Sequence, residues 1–417
     1  MTTKNLTPTK EYQRSNLLDA LRGFTLIGFF LANMTFYSGY GYMSTAQKSA
    51  LPFAETDYVL RAIIFFVADL KFVAVFAIIF AVSYVAFRKR AHRNGANSGY
   101  LFTKRIAFLL LISSIHILLF RYDDLLLWLG IYSFFIFLFR NNERNLLAKW
   151  GIVIAGIIPV VLTSGMLFMI NQNEEMSPNI PYQEIFEAYS QGSFAEVIAI
   201  NIKNFKIDSI TNILFLSFLL IGLLMFGVWA GKKIVSINES EKILLIVKKN
   251  TAFLKRLQFY SGLIGITLNL YLAVIFYLRD VGIFNYDSYF TYNFSLYFFS
   301  AVSLAIFYCV AFARIFSQSQ WQKRLYFLVP FGRMALTNYI FQSVLSAFIF
   351  FGIGLGLMGS IGPSLFIIWF LIIVTVQIIF SNWWLNRFEY GPLEWLWRCS
   401  TYSKWLPIKK KSRVAVT

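Results

Sequence analysis

The sequence predicts an all-α fold: a polytopic transmembrane helical bundle of about ten spans, with both termini cytoplasmic. Three observations predict it. Hydrophobic residues make up 58% of the chain and charged residues only 14%, against roughly 25% charged in a soluble domain. The apolar residues gather in runs near the ~20 residues that a helix needs to cross a bilayer, and not in the short alternating strands of a membrane barrel. Lys and Arg fall between those runs, and mostly on one side.

The candidate spans cover residues 20–40, 58–87, 101–120, 124–140, 147–171, 209–230, 257–278, 289–313, 331–352 and 362–385. They follow a polar segment, 1–19, that lacks the short apolar core and cleavage site of a signal peptide, so the first span is read as retained. The second run is long for one helix and holds Asp69 and Lys71 in its middle, which predicts a kink, a tilt or a break. Residues 20–230 form an N-terminal membrane region of six spans. It includes an acidic external loop, 172–208, whose "IPYQEIFEAYSQGSFAEVIAINI" suits one or two short amphipathic helices. A basic cytoplasmic loop, 231–256, leads to a C-terminal membrane region, 257–417, with four spans and a basic tail. "FGIGLGLMG" (351–359) closes a span and follows no strand, so it is a turn and not a nucleotide loop.

The formal charge of +18 would suggest nucleic acid in a soluble protein. Here its distribution accounts for it. With a cytoplasmic N-terminus, only Lys48, Arg121, Lys203, Lys206 and Arg279 fall in outer loops, and Arg22, Arg61, Lys71 and Arg333 fall within spans. The other 29 of the 38 basic residues lie inside, as the positive-inside rule requires of a cell-membrane protein. Membrane lipids and a small-molecule substrate are the partners this composition favours, and nucleic acid is not. A homo-oligomer stays open. Cys309 and Cys399 have neither metal-type spacing nor a disulfide framework, and no metal site is called for.

Ionisable residues inside lipid are costly and tend to face a protein interior or a water-filled path. Asp19 and Arg22 are an i, i+3 pair, and Asn33 lies eleven residues after Arg22. That places all three on one helical stripe running inward from the cytoplasmic edge. The pair either anchors the helix end at the headgroups or places Arg22 against an anionic group entering from the cytoplasm. Asp69 and Lys71 are i, i+2 and cannot face each other on a helix. They order the bundle or line a substrate path. His116, near the outer end of the third span, and Asp124, past the external turn, would meet across a hairpin and form an oriented imidazole suited to general-base work. Arg333, Asn338 and Gln342 make a polar stripe in the ninth span that glues helices or lines a cavity. Beyond the last span, Gly391-Pro392 turns into a short interfacial helix, where Glu389, Glu394 and Arg398 supply charges for ion pairs. The sequence holds no serine-hydrolase elbow, P-loop or zinc motif.

Several blocks together resemble the bacterial YeiB-like family of multi-pass membrane proteins, whose C-terminal region is a domain of unknown function. They are "LDALRGFTLIGFFLANM", "KFVAVFAIIFAVSY", "IHILLFRYDDLLL", "LLMFGVWAGK", "FGRMALTNYIFQS" and "YGPLEWLWRCSTY". The resemblance maps His116 and Asp124 onto a His and an Asp of the family pattern. That family is in turn similar to the transmembrane acyltransferases, which move an acyl group from cytoplasmic acyl-CoA to an acceptor across the membrane. Their first span carries Arg, ten residues, then His. The same spacing here gives Arg22 and Asn33, and an amide is no base at neutral pH. The resemblance therefore implies acyl-CoA as co-substrate, His116 with Asp124 as the catalytic pair, and Arg22 and Arg333 as its anion-binding groups, Asn33 donating a hydrogen bond. A transporter lined by Asp69, Lys71, Asn338 and Gln342 is the second reading, and a structural or regulatory membrane protein the third.

Overall fold

A computed structural model describes residues 15–138, 144–154, 158, 161, 182–214, 216–234, 240–283 and 286–410. The regular structure of the described residues is helical, and the single bridge between Phe388 and Lys409 is the only strand-like pairing among them. Seven helical stretches among them are long and apolar enough to cross a membrane, and two shorter apolar helices, Leu125–Leu138 and Ala335–Phe350, accompany them. This is a polytopic helical membrane protein. Most of the span expected over 147–171, residues 172–181 of the external loop, and the segments 1–14 and 411–417 lie outside the described residues.

Helix α1 (Asn16–Tyr37) starts where Ser15 accepts from the Leu18 N–H and Asp19 sits in the first turn, as the positive end of a helix dipole favours. It is the centre of the bundle. Its most apolar window is 61% buried, against 33% for the peripheral helices Ser98–Leu119 and Pro363–Arg387. A helix wrapped by protein can carry an acid, a base and an amide that lipid would not tolerate. Its closest neighbour is α15 (Leu328–Arg333). A Cβ on Gly332 would lie 1.9 Å from the Asp19 carbonyl oxygen, and one on Gly23 2.6 Å from that of Leu328. Glycine at both positions is what lets the two backbones touch.

After the short α2 (Thr45–Ser49), the second apolar run is broken, as Asp69 and Lys71 predict. Helix α3 (Ala54–Val67) ends and α4 (Lys71–Arg93) begins, with Leu70 between them in the left-handed region (φ 57°). The charges pair across the break. Arg61 binds Asp69 at 2.7 Å, and the Lys71 amine donates to the Phe65 carbonyl at 2.5 Å. Lys71 thus satisfies one of the carbonyls that the end of α3 leaves open. Helices α5 (Ser98–Leu119) and α6 (Leu125–Leu138) form a hairpin, followed by α7 (Arg144–Ile152).

Two helices occupy the segment expected as an external loop, the second running beyond its expected end at 208: α8 (Tyr182–Ser190) and α9 (Phe194–Leu214). α8 buries Ile185 and Tyr189 against the bundle, and Tyr189 stacks on Phe351 at 4.6 Å. α10 (Leu216–Ile234) packs on α4 through Gly227 and Gly231. A Cβ on Gly227 would lie 2.6 Å from that of Ala81, a small-residue contact typical of membrane helices. The basic segment after it is largely helical, as α11 (Ser240–Lys249) and the start of α12 (Thr251–Asp280). α12 pairs with α13 (Tyr286–Phe316) and shows Phe259, Leu263, Leu270 and Val274 on its exposed face, as a lipid-facing surface demands.

The chain ends with α14 (Ser319–Arg324), α15, α16 (Ala335–Phe350), α17 (Pro363–Arg387) and, after Gly391, α18 (Pro392–Tyr402), which has Pro392 in its first turn. Asn338 and Gln342 join α16 to α17. Asn338 donates to the Ser381 hydroxyl at 2.9 Å, Gln342 donates to the Gln377 carbonyl oxygen at 3.2 Å, and Gln377 donates to the Asn338 backbone carbonyl at 3.0 Å. Glu394 forms a cap where an ion pair was expected. Its carboxylate accepts from the Leu336 and Thr337 N–H groups and the Thr337 hydroxyl at 2.7, 3.1 and 2.6 Å. Helix α16 has no side-chain cap of its own, so α18 supplies the acceptor oxygens that its open N–H groups call for.

Candidate functional site

The ends of α1, α4, α5, α15 and α18 surround a cavity of about 270 Å3. Seven cations line it (Arg22, Lys89, Arg90, Arg93, Arg105, Arg333 and Arg398), against the acids Asp19 and Glu394. Such a concave, low-dielectric site with one sign of charge concentrates anions. Its walls are aromatic and aliphatic: Phe76, Phe80, Tyr84, Phe102 and Trp397 among them. Arg22 is held on two sides, by Asp19 at 2.7 Å and by the Ser83 hydroxyl at 2.9 Å. Arg333 donates to the Glu389 carbonyl at 3.3 Å. Burial and the neighbouring Arg105 push the Arg398 guanidinium below its ordinary value, a further sign of crowded positive charge.

The cavity extends inward from the basic helix ends to Leu126 and Tyr339. Directly behind these two residues sits a fully buried polar network. Asp124 starts α6 by accepting from the Leu126 N–H at 2.8 Å, and its placement follows from that capping role. His116 lies in the last turn of α5. The hairpin brings its Nδ1 to 3.1 Å from Asp124 Oδ2, the meeting that the spacing predicts. The approach is off-axis, so neither atom makes an in-line hydrogen bond. Catalytic pairs commonly tighten only on substrate binding.

Three further residues complete the network. Tyr339 donates to Asp124 Oδ1 at 2.8 Å, and its ring lies 5.2 Å from that of His116. The Ser343 hydroxyl lies 2.7 Å from His116 Nε2. Tyr37, at the far end of α1, donates to Ser343 Oγ at 2.7 Å. Arg121 pairs with Asp123 at 3.2 Å and covers the rings of Phe36 and Tyr37. Beyond Tyr37, Phe351 and Tyr189 close the network on the side away from the cavity. Tyr189 is fixed by donating to Asn201 at 2.5 Å, and Asn201 donates to the Leu118 carbonyl.

The structure therefore brings Asp19, Arg22 and Arg333 to the cavity; His116 and Asp124 do not line it but sit directly behind Leu126 and Tyr339, which do, with Asp124 bonded to both. Asn33 is half-buried three turns along α1 and does not line the cavity. Asp69, Lys71, Asn338 and Gln342 do not line it either; their polar atoms serve the helix break and the α16–α17 contact. Ser343, Tyr37 and Tyr339 were not singled out from sequence. The one signal for them was that "ALTNYIFQS" places Tyr339 and Ser343 one helical turn apart, on a helix already marked as polar. No group of His, Cys, Asp and Glu among the described residues is arranged to hold a metal ion.

Residues 241–404 match the family described as "Protein of unknown function (DUF418)". That stretch contributes Arg333, Tyr339, Ser343 and Glu394 to the site, while Arg22, His116 and Asp124 come from the part before it. Similarity to known proteins covers both parts. The chain is 27% identical to "Uncharacterized protein YxaH" of Bacillus subtilis (strain 168), over 98% of this chain and 100% of that protein. It is 26% identical to "Uncharacterized 39.9 kDa protein in amylase 3'region" of Bacillus acidopullulyticus, over 96% and 97% of the two chains. It is 24% identical to "Uncharacterized protein YeiB" of Escherichia coli (strain K12), over 96% and 100%. No solved structure matches the chain. A membrane bundle of this layout, the match at its C-terminal region and near full-length similarity to YxaH and YeiB agree with the resemblance to YeiB-like proteins read from the sequence blocks.

Proposed function

We propose that the protein transfers an acyl group from a phosphate-bearing donor, acyl-CoA in the simplest case, to an acceptor reaching the site from the other face of the membrane. One observation carries this reading: a cation-lined cavity reaches Leu126 and Tyr339, and directly behind them a buried imidazole is paired with a carboxylate that both residues contact. The cavity is smaller than the ~300–1,000 Å3 usual for a small-molecule site. It suits an extended acyl-bearing arm, with the donor's phosphates left among the arginines at the mouth. Guanidinium groups are the residues best shaped for phosphate. This reading takes the mouth to face the cytoplasm, where such donors are made; the bias of Lys and Arg toward that side supports it.

His116 acts as general base in this proposal, with Asp124 holding the ring and stabilising the imidazolium that forms. Asn33 contributes nothing to the reaction, consistent with its position away from the cavity. Solute transport has less support, because Asp69, Lys71, Asn338 and Gln342 are engaged in holding helices. The test is equilibrium binding of acyl-CoA to purified protein in lipid nanodiscs. We expect saturable binding that weakens in Arg22→Ala and Arg333→Ala and with added salt. Binding that is absent, or indifferent to both arginines, would remove the proposal.

A further inference from the structure

We propose that Ser343 is the nucleophile of this site and carries the acyl group as an ester between the two halves of the reaction; the inference rests on the acyl-transfer reading above.

The argument begins with what His116 is placed to deprotonate. Its Nε2 is within 2.7 Å of Ser343 Oγ, and its Nδ1 is 3.1 Å from Asp124. The carboxylate favours the proton on Nδ1, which leaves the Nε2 lone pair directed at the Ser343 hydroxyl. An acceptor entering the site would have to displace Ser343 to reach that lone pair. The serine is already there, and nucleophile, base and orienting carboxylate within reach of one another are the mark of covalent catalysis. The competing acceptor for the Ser343 proton, the Tyr339 carbonyl, is at 3.4 Å and much weaker. Tyr37 donates to the same Oγ at 2.7 Å, so the oxygen keeps a hydrogen-bond donor when its proton leaves. Five polar side chains buried together at this depth are costly to maintain. Leucine and phenylalanine would pack the same helices without that cost.

Position supplies the second argument. Tyr339, one turn before Ser343 on α16, lines the cavity, whereas Tyr37 and Phe351 lie on the opposite side. Ser343 sits between the donor's route and the face away from it. A covalent serine lets donor and acceptor use the site in turn, each from its own side.

The chemistry balances. Ser343 Oγ bonds to the thioester carbonyl carbon while its proton passes to His116 Nε2. The C–S bond breaks, the thiolate takes the proton from Nε2, and the free thiol leaves toward the cavity mouth. An acceptor hydroxyl then bonds to the ester carbon, giving its proton to Nε2. The bond from carbon to Ser343 Oγ breaks, and Oγ recovers the proton.

The experiment uses the full-length protein in nanodiscs with a radiolabelled short-chain acyl-CoA. Without acceptor, acid quench and peptide mass spectrometry are expected to find an acyl ester on Ser343, absent in Ser343→Ala and in His116→Gln. Ser343→Cys should instead trap a thioester, labile to neutral hydroxylamine. Thioester turnover should fall at least a hundredfold in Ser343→Ala, and about tenfold in Tyr37→Phe, each folded as judged by gel filtration. Wild-type turnover that Ser343→Ala retains within threefold would overturn the covalent role and leave acyl transfer standing. If no thioester is turned over, labelling of Ser343 by a fluorophosphonate, lost in His116→Gln, would support the nucleophile while the donor assignment fails. The absence of both would overturn both.

Discussion

Gly332→Ala is the substitution that best probes how the site is held. The added Cβ would lie 1.9 Å from the Asp19 carbonyl oxygen, where ordinary contact begins near 3.4 Å. Helices α1 and α15 must therefore separate by about 1.5 Å, since both partners are backbone and no rotamer relieves the overlap. Overpacking costs about 1–3 kcal/mol, and the upper end applies because α1 is central and buried. Gly28→Ala is the matched control. Its Cβ would meet the Phe72 ring at 2.0 Å, a nominal overlap of the same size against a side chain that can swing. We expect a loss of about 3 kcal/mol for Gly332→Ala and less than about half of that for Gly28→Ala. Denaturant titration in mixed micelles would measure both. Gly332→Ala should also weaken donor binding, because Asp19 holds Arg22 and moves with its own backbone. Equal losses in the two variants, or less than about 0.5 kcal/mol for Gly332→Ala, would refute the claim that backbone contact sets this geometry.

Other consequences are equally direct. Arg22→Ala should weaken acyl-CoA binding by about five- to thirtyfold at low ionic strength, the worth of about 1–2 kcal/mol, with the difference shrinking in high salt; isothermal titration at two salt concentrations reads it. Burial raises the Glu394 carboxyl above its ordinary value, and its hydrogen bonds from Thr337 oppose only part of that shift. The folded state thus holds this proton more tightly than the unfolded state. Its contribution to stability is fullest below the ordinary carboxylate range and is lost as pH climbs through the raised value. Glu394→Gln cannot ionise, so its melting temperature should vary less with pH between about 4 and 8; parallel curves would contradict this. Gln342→Leu removes the bond to Gln377 and should cost about 0.6–2 kcal/mol of stability, while donor binding stays within twofold. A large loss of binding there would return that stripe to the substrate path.

Much of the fold is legible in local pattern. The apolar runs mark the spans, and the break between α3 and α4 follows from two charges that cannot face each other on one helix. The His116–Asp124 meeting is also local, since a hairpin turn brings together residues close in sequence. The rest of the network is not local. Ser343 meets His116 across 227 residues and Tyr37 meets Ser343 across 306, and serine and tyrosine within apolar runs are unremarkable one by one. The helical stripe of Asp19, Arg22 and Asn33 shows a limit of the same kind. Phase along α1 places them together, but the walls of the cavity come from other helices and end before Asn33. Glu394 shows another. Its charge suggested an ion pair with a nearby arginine, whereas tertiary packing offered it the open N–H groups of α16.

The account turns on His116, buried just behind the inner end of the cation-lined cavity, so steady-state kinetics of thioester cleavage by His116→Gln test it most directly. Glutamine keeps polar atoms in the pocket and cannot act as a base. The account predicts a kcat lower by about 10²–10⁴, with KM for the donor changed only a few-fold because the cavity is intact. A folded His116→Gln protein that cleaves the thioester within threefold of the wild-type rate would contradict it.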